Sequence, residues 1–136
     1  MKKIEAIGIG QQALEDTVSK ILSYKDLVVW QKSMELVENV YRLTLKLPQT
    51  ERRGLMSQMR GAAVSVPFNI AEGYGRQATG EYRHHLSISR GSLFELETQL
   101  LVCEKVGFLE NLHTQKVLGE IQLISKMLGS LINKLH

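Results

Sequence analysis

A chain of 136 residues has room for one domain with a real core and is short for two. Hydrophobic residues at 43% and charged residues at 23% are ordinary for a soluble globular protein, and no apolar run approaches the roughly 20 residues of a membrane span. The net charge of +3 is uneven: Arg52, Arg53, Arg60, Arg76, Arg83 and Arg90 stand against only Glu72 and Glu81 in the same span, the pattern of an anionic partner or of a solvated basic face.

The opening, MKKIEAIGIGQQALEDTVSKIL, has a lysine pair but then Glu5 and no sustained apolar core, so it is a poor signal peptide. Residues 1–23 read as an N-terminal extension, loosely attached, with a short helix around Gln12 to Leu22; the body is expected over 24–136. The first helix of that body is expected after Asp26, a good N-cap. Leu27, Trp30, Met34, Val37 and Tyr41 form one stripe at helical spacing, Leu36, Val40, Leu43 and Leu47 a second, and Pro48 closes the segment. The second helix starts near Thr50 with Glu51 in its first turn. Its stripe is Leu55, Met59, Ala62, Val66 and Ile70, and the small Gly61, Ala62, Ala63 and Ser65 allow close approach of a neighbour.

The third helix starts at Thr79 as cap. Tyr82, Leu86, Ser89, Leu93, Leu96, Leu100 and Cys103 make a heptad-like seam, Phe94, Leu101 and Phe108 an offset column, and Gly107 the stop. The fourth starts near Asn111 and repeats the pattern with Val117, Ile121, Ile124, Leu128, Leu131 and Leu135. Two prolines, few aromatics and no regular alternation speak against strands. The expected fold is all-α, an antiparallel up-down four-helix bundle. The first and third helices carry more apolar surface than one seam needs; a wider core and a homo-oligomer interface both account for it.

Little chemistry is written into these helices. His84 and His85 are adjacent and point about 100° apart on a helix, and Glu81-x-x-His84 lacks the second copy that a di-iron bundle needs, so neither metal nor cofactor is expected. Cys103 rules out an internal disulfide, fits a reducing cytoplasm, and on the seam acts as a small hydrophobe. Gly73 to Gly75 lack the Lys-Ser/Thr and preceding strand of a phosphate loop, and no nucleophile–base pair is evident; no enzyme is expected. One column does stand out. Arg76, Arg83, Arg90, Glu97 and Glu104 recur every seven residues, with arginines toward the start of the third helix and glutamates toward its end, against that helix's own dipole. It reads as a solvated face, or as one that meets charges on a neighbouring subunit or on RNA.

The stretch SVPFNIAEGYGR, Ser65 to Arg76, gathers poor helix formers. Pro67 is expected to kink or restart the second helix with Ser65 as cap, Asn69 and Glu72 to face inward one turn apart, and Gly73 and Gly75 to end the helix. Arg76 can pair with Glu72 if the helix reaches that far, and Arg90 with Glu97 at longer reach. The block reads as an architectural joint rather than a catalytic centre; a deep pocket gathering Asn69, Glu72, Glu95 and Arg76 would revive an enzyme.

Asp26 to Lys32 (DLVVWQK), Leu47-Pro48, Leu55 to Arg60 (LMSQMR), the NIAEG block at Asn69 to Gly73 and Arg90 to Leu100 (RGSLFELETQL) come in an order and spacing that resemble a bacterial family. That family is the four-helix bundles first known from open reading frames in intervening sequences of large-subunit ribosomal RNA genes, often labelled ribosomal proteins. The resemblance covers about residues 24 to 135. It implies an up-down bundle assembled as a homopentameric ring, with no enzymatic activity. It also implies kinship with the accessory variability proteins of diversity-generating retroelements, basic pentamers that bind a reverse transcriptase and its template RNA. Many relatives carry a second basic residue after the one matching Arg60; here it is Gly61.

Two roles follow as expectations. The first is a non-enzymatic, oligomeric, cytoplasmic bundle associated with RNA, with Arg52, Arg53, Arg60, Arg76 and Arg83 on the phosphates. The alternative is an accessory protein docking on a protein such as a reverse transcriptase. Asn69, Glu72, Arg90 and Glu95 are the polar groups expected to be structural.

Overall fold

The computed structural model describes residues 20–135, so the N-terminal extension and its expected short helix lie almost wholly outside the described residues. Four helices fill most of the remainder: α1 (Val28–Thr44), α2 (Leu55–Arg76), α3 (Thr79–Lys105) and α4 (Asn111–Lys134), with short 3-10 helices at Tyr24–Asp26 and Gln49–Glu51. Among the described residues there is no strand. Each long helix packs on two others, α1 on α2 and α4, α3 on α2 and α4, which makes a four-helix bundle.

The core follows the heptad-like stripes. Leu36 and Val40 of α1, Met59, Val66 and Ile70 of α2, Leu86, Leu93, Leu96 and Leu100 of α3, and Ile121, Ile124 and Leu128 of α4 are fully buried. Only one of the two α1 stripes goes inside. Leu27, Trp30 and Val37 lean on the core edge, while Met34 and Tyr41 stay exposed. Of the offset column, Phe94 and Leu101 are likewise exposed, while Phe108 packs against the core.

The ends of the helices depart from the sequence reading in instructive ways. Asp26 does not cap α1. It sits in the 3-10 helix before it and takes the backbone N–H groups of Leu22 (2.9 Å) and Ser23 (3.1 Å), and the N-cap of α1 is Leu27 with no side-chain cap. Glu51 precedes α2 rather than lying in its first turn, and its carboxylate accepts from the Leu55 N–H (3.4 Å). Thr79 is the first residue of α3, and the cap is Ala78. Gly107 does stop α3: at φ +85° it allows Phe108 N–H to reach the Cys103 carbonyl (2.8 Å) and its own N–H to reach Glu104 (3.1 Å), a Schellman closure.

Residues 65–76 do not break the helix. α2 runs unbroken through Pro67, Gly73 and Gly75 to Arg76 and ends on Gln77, whose φ of 59° places a non-glycine residue in the left-handed region. Ser65 caps nothing; it belongs to a hydrogen-bonded seam between α2 and α3. Ser89 donates to the Val66 carbonyl (2.9 Å), Ser92 to Ser65 Oγ (2.8 Å), and Asn69 Nδ2 to the Ser65 carbonyl (3.0 Å), so α3 braces the segment where Pro67 deprives Ala63 of its N–H partner. The close approach depends on Gly73. A Cβ there would stand 2.7 Å from His85 Cβ and 3.1 Å from Tyr82 Cδ1. Gly61, expected among the small contact residues, instead meets open space.

Candidate nucleic-acid interface

The arginines expected on phosphates do not form one face. Arg52 and Arg53 lie just ahead of α2, and Arg76 closes it. The 22 residues of α2 separate them by about 33 Å at 1.5 Å per residue. Arg76 and Arg83 are therefore at the opposite end of the bundle from Arg52 and Arg53, with Arg60 a turn and a half into α2.

Their surroundings differ as well. Arg76 donates to Glu72 (2.8 Å) and Glu81 (3.4 Å), an exposed pair that holds the Glu72 carboxyl below its ordinary value and the Arg76 guanidinium above its own. Glu72 thus points outward beside Arg76, not inward beside Asn69 as its spacing suggested. Arg83 donates to the Leu135 carbonyl at the end of α4 (2.6 Å). Arg60 is tied down twice: Nε donates to Thr44 Oγ1 (2.9 Å) and Nη2 to the Tyr41 carbonyl (3.1 Å), with the guanidinium 4.3 Å from the Tyr41 ring centroid. Among the described residues Arg52 and Arg53 make no ion pair and no side-chain hydrogen bond, and both are exposed.

Of the groups expected to be structural, Asn69 and Arg90 bind neighbouring helices. Asn69 Oδ1 lies 3.0 Å from His85 Nδ1, and Arg90 Nε donates to Ser125 Oγ (3.3 Å) while its guanidinium lies over Gly129. Arg90 therefore meets α4 and not Glu97. Glu95 is exposed and accepts from Gln99 Nε2 (3.3 Å) on its own helix. Asn69, Glu72, Glu95 and Arg76 do not converge on a pocket: Asn69 faces α3, and Glu72 and Arg76 pair at the surface.

The seven-residue column has an interhelical meaning that its sequence did not reveal. Arg83 binds the last turn of α4, and Glu104 accepts from Thr114 and from Asn111 Nδ2 (3.4 Å) in the first turn of α4. Cations at a helix C-terminus and anions at an N-terminus are each stabilising by about 0.3–1 kcal/mol. At Arg83 and Glu104 the order that opposes the dipole of α3 therefore suits the dipole of α4.

Besides a shallow open groove of about 580 Å³ along the outer face of α1, beside Met34, Glu38 and Tyr41, there is one of about 430 Å³ where the last turns of α1 meet the first turns of α2. Tyr41, Arg52, Met56, Ser57, Arg60 and Gly61 line it. Elsewhere, burial pushes the Cys103 thiol up, and its sulfur lies 3.8 Å from Met59 Sδ, so it is an inert core group. No described helix is long and apolar enough to cross a membrane.

The family model described as 23S rRNA-intervening sequence protein matches residues 25–130. The chain belongs to that family. The match begins at Lys25, inside the 3-10 helix before α1, and ends within α4, so the family's unit is the bundle itself. No curated protein matches the chain. Of the NIAEG block, Asn69 and Gly73 belong to the α2–α3 contact, where Asn69 Oδ1 lies 3.0 Å from His85 Nδ1 and Gly73 leaves room for His85.

Proposed function

We propose that this protein is a non-enzymatic, self-assembling bundle that associates with RNA through the basic groups at the α1–α2 end. The observation that carries the reading is the contrast among the arginines. Arg76 and Arg83 are engaged within the chain, whereas Arg52 and Arg53 are exposed beside a groove that Arg60 also lines. Membership of a family named for ribosomal RNA intervening sequences supports an RNA partner.

The helices run in antiparallel up-down order, a reading supported by the pairings of Asn69 with His85 and Ser65 with Ser92 between α2 and α3, and of Arg83 with Leu135 and Glu104 with Thr114 between α3 and α4. Self-assembly is supported by the apolar groups left outside the core and away from that groove, Met34 on α1, Phe68 on α2, and Phe94 and Leu101 on α3; a homopentameric ring is what the family resemblance implies. Nothing among the described residues speaks for a reverse transcriptase in particular as the partner.

Fluorescence anisotropy of labelled single-stranded RNA, titrated with the full chain at several salt concentrations, tests the function. Log affinity should fall against log salt with a slope of about −0.7 for each phosphate contacted. Absence of binding at low salt, or binding that ignores salt, overturns the reading. Sedimentation of the same sample tests assembly: a pentamer is expected, and a monomer at all concentrations refutes the ring.

A further inference from the structure

The groove between α1 and α2 combines three features that a bare basic patch lacks. Arg60 is held in place by its two hydrogen bonds and by the Tyr41 ring, which leaves Nη1 without an intramolecular partner among the described residues. The guanidinium, held 4.3 Å from the Tyr41 ring centroid, puts a cation and an aromatic ring together as a platform placed before any ligand arrives. Arg52 lines the same groove with no partner among the described residues, and Met56 and Val64 add apolar lining beside Ser57. Gly61 lies on the exposed side of α2 and leaves its Cβ position empty, with nothing within 4 Å.

We propose that this groove is a nucleotide-unit site for single-stranded RNA. The phosphate is held by Arg52 and Arg60 Nη1, and the base lies on the Arg60–Tyr41 platform with Met56 at its edge. This assignment rests on the RNA reading above and locates it. A carboxylate of an acidic protein segment would need only the guanidinium groups. A nucleotide brings both an anion and a π-face, and unpaired bases stack on aromatic rings and on arginine planes alike. Affinity from stacking is insensitive to base identity, so the site should bind single strands with weak sequence preference.

The test uses the full chain and a fluorescently labelled oligouridylate of about ten nucleotides, within the usual span of single-strand sites. Arg52→Ala should weaken binding several-fold and make the salt slope shallower by about 0.7. Gly61→Arg places a new cation at the groove, where the structure has room for it, and should tighten binding and steepen the slope by about 0.7. Arg76→Ala, at the far end of α2, should change neither. Circular dichroism and sedimentation identical to the parent confirm that each variant folds and assembles. If the parent binds no oligouridylate, this site and the RNA reading both fall. If the parent binds but Arg52→Ala and Gly61→Arg leave affinity and slope unchanged, or Arg76→Ala weakens binding as much as Arg52→Ala, only the groove assignment falls. Binding of a glutamate-rich peptide in preference to the oligonucleotide also overturns it.

Discussion

Replacing Gly73 by alanine sets two helix effects of opposite sign against each other. Alanine is favoured over glycine inside a helix by about 0.8–1 kcal/mol, and Gly73 lies inside α2. Against this, the new Cβ would stand 2.7 Å from His85 Cβ and 3.2 Å from the Tyr82 carbonyl. Two carbons prefer about 3.5–4.0 Å, and neither Cβ can rotate away, so α2 and α3 must part locally by nearly an ångström. Overpacking of this kind costs about 1–3 kcal/mol. Gly73→Ala should therefore lose about 0–2 kcal/mol net. Gly61→Ala in the same helix, with no neighbour within 4 Å, should keep the whole gain. The two variants should differ by about 1–3 kcal/mol. With urea m-values of about 1–3 kcal/mol/M, that separates their unfolding midpoints by roughly 1 M, read at one protein concentration because assembly couples to stability. A Gly73→Ala variant as stable as Gly61→Ala would refute the claim that glycine is there for the helix crossing.

The remaining predictions concern two polar groups between helices. Glu120 of α4 accepts from Asn39 Nδ2 of α1 (2.7 Å), and its Oε1 is buried without a partner among the described residues. Burial pushes its carboxyl above the ordinary 4.5, with Glu35 adding to the rise and Asn39, Lys116 and Lys32 opposing it. The folded state then keeps a proton that the unfolded chain has released, so this group's contribution to stability falls as pH rises through its folded value. Glu120→Gln should be more stable than the parent near neutral pH, with the advantage shrinking as pH falls toward 4.5; an advantage that grows in acid, measured by urea midpoints across pH, contradicts this. Arg60→Met removes both hydrogen bonds to the end of α1 and should cost about 1–3 kcal/mol in the same assay, with Arg60→Lys recovering little because lysine lacks the planar fork; full recovery by lysine would show that charge alone matters.

Much of the bundle was legible because burial imposes a period. Leu86, Leu93 and Leu100, or Ile121 and Leu128, repeat at intervals that only a helix facing a core explains, and they are fully buried. Periodicity does not rank the two stripes of α1, since Met34 and Tyr41 stand at the same helical spacing as Leu36 and Val40 do; which stripe goes inside depends on where α2 and α4 lie. Local propensity misled at residues 65–76 for a related reason. Gly73 and Pro67 are poor helix formers taken singly, yet tertiary contacts outweigh about 1 kcal/mol for a glycine. At Gly73, moreover, the missing side chain is what admits His85. Asn69 and Glu72 are about one helical turn apart. A turn of three residues still leaves about 60° between them, enough to send Asn69 to α3 and Glu72 to solvent.

The charged column shows where a single helix stops being the right unit of explanation. Its order runs against the dipole of the helix that carries it, so judged within α3 alone it looks like a surplus destined for a ligand. With α4 alongside, the same order is complementary: Arg83 sits on the Leu135 carbonyl at one end and Glu104 on Thr114 and Asn111 at the other. An arginine that already donates to a neighbouring group has fewer donors left for phosphate. Within the arginine-rich span from 52 to 90, Arg52 and Arg53 are the ones with no intramolecular partner among the described residues, while Arg60, Arg76, Arg83 and Arg90 each give at least one nitrogen to a neighbour. Composition overstated the basic surface because composition cannot subtract the charges that the fold consumes, and the end of the bundle where α1 meets α2 is where the difference remains.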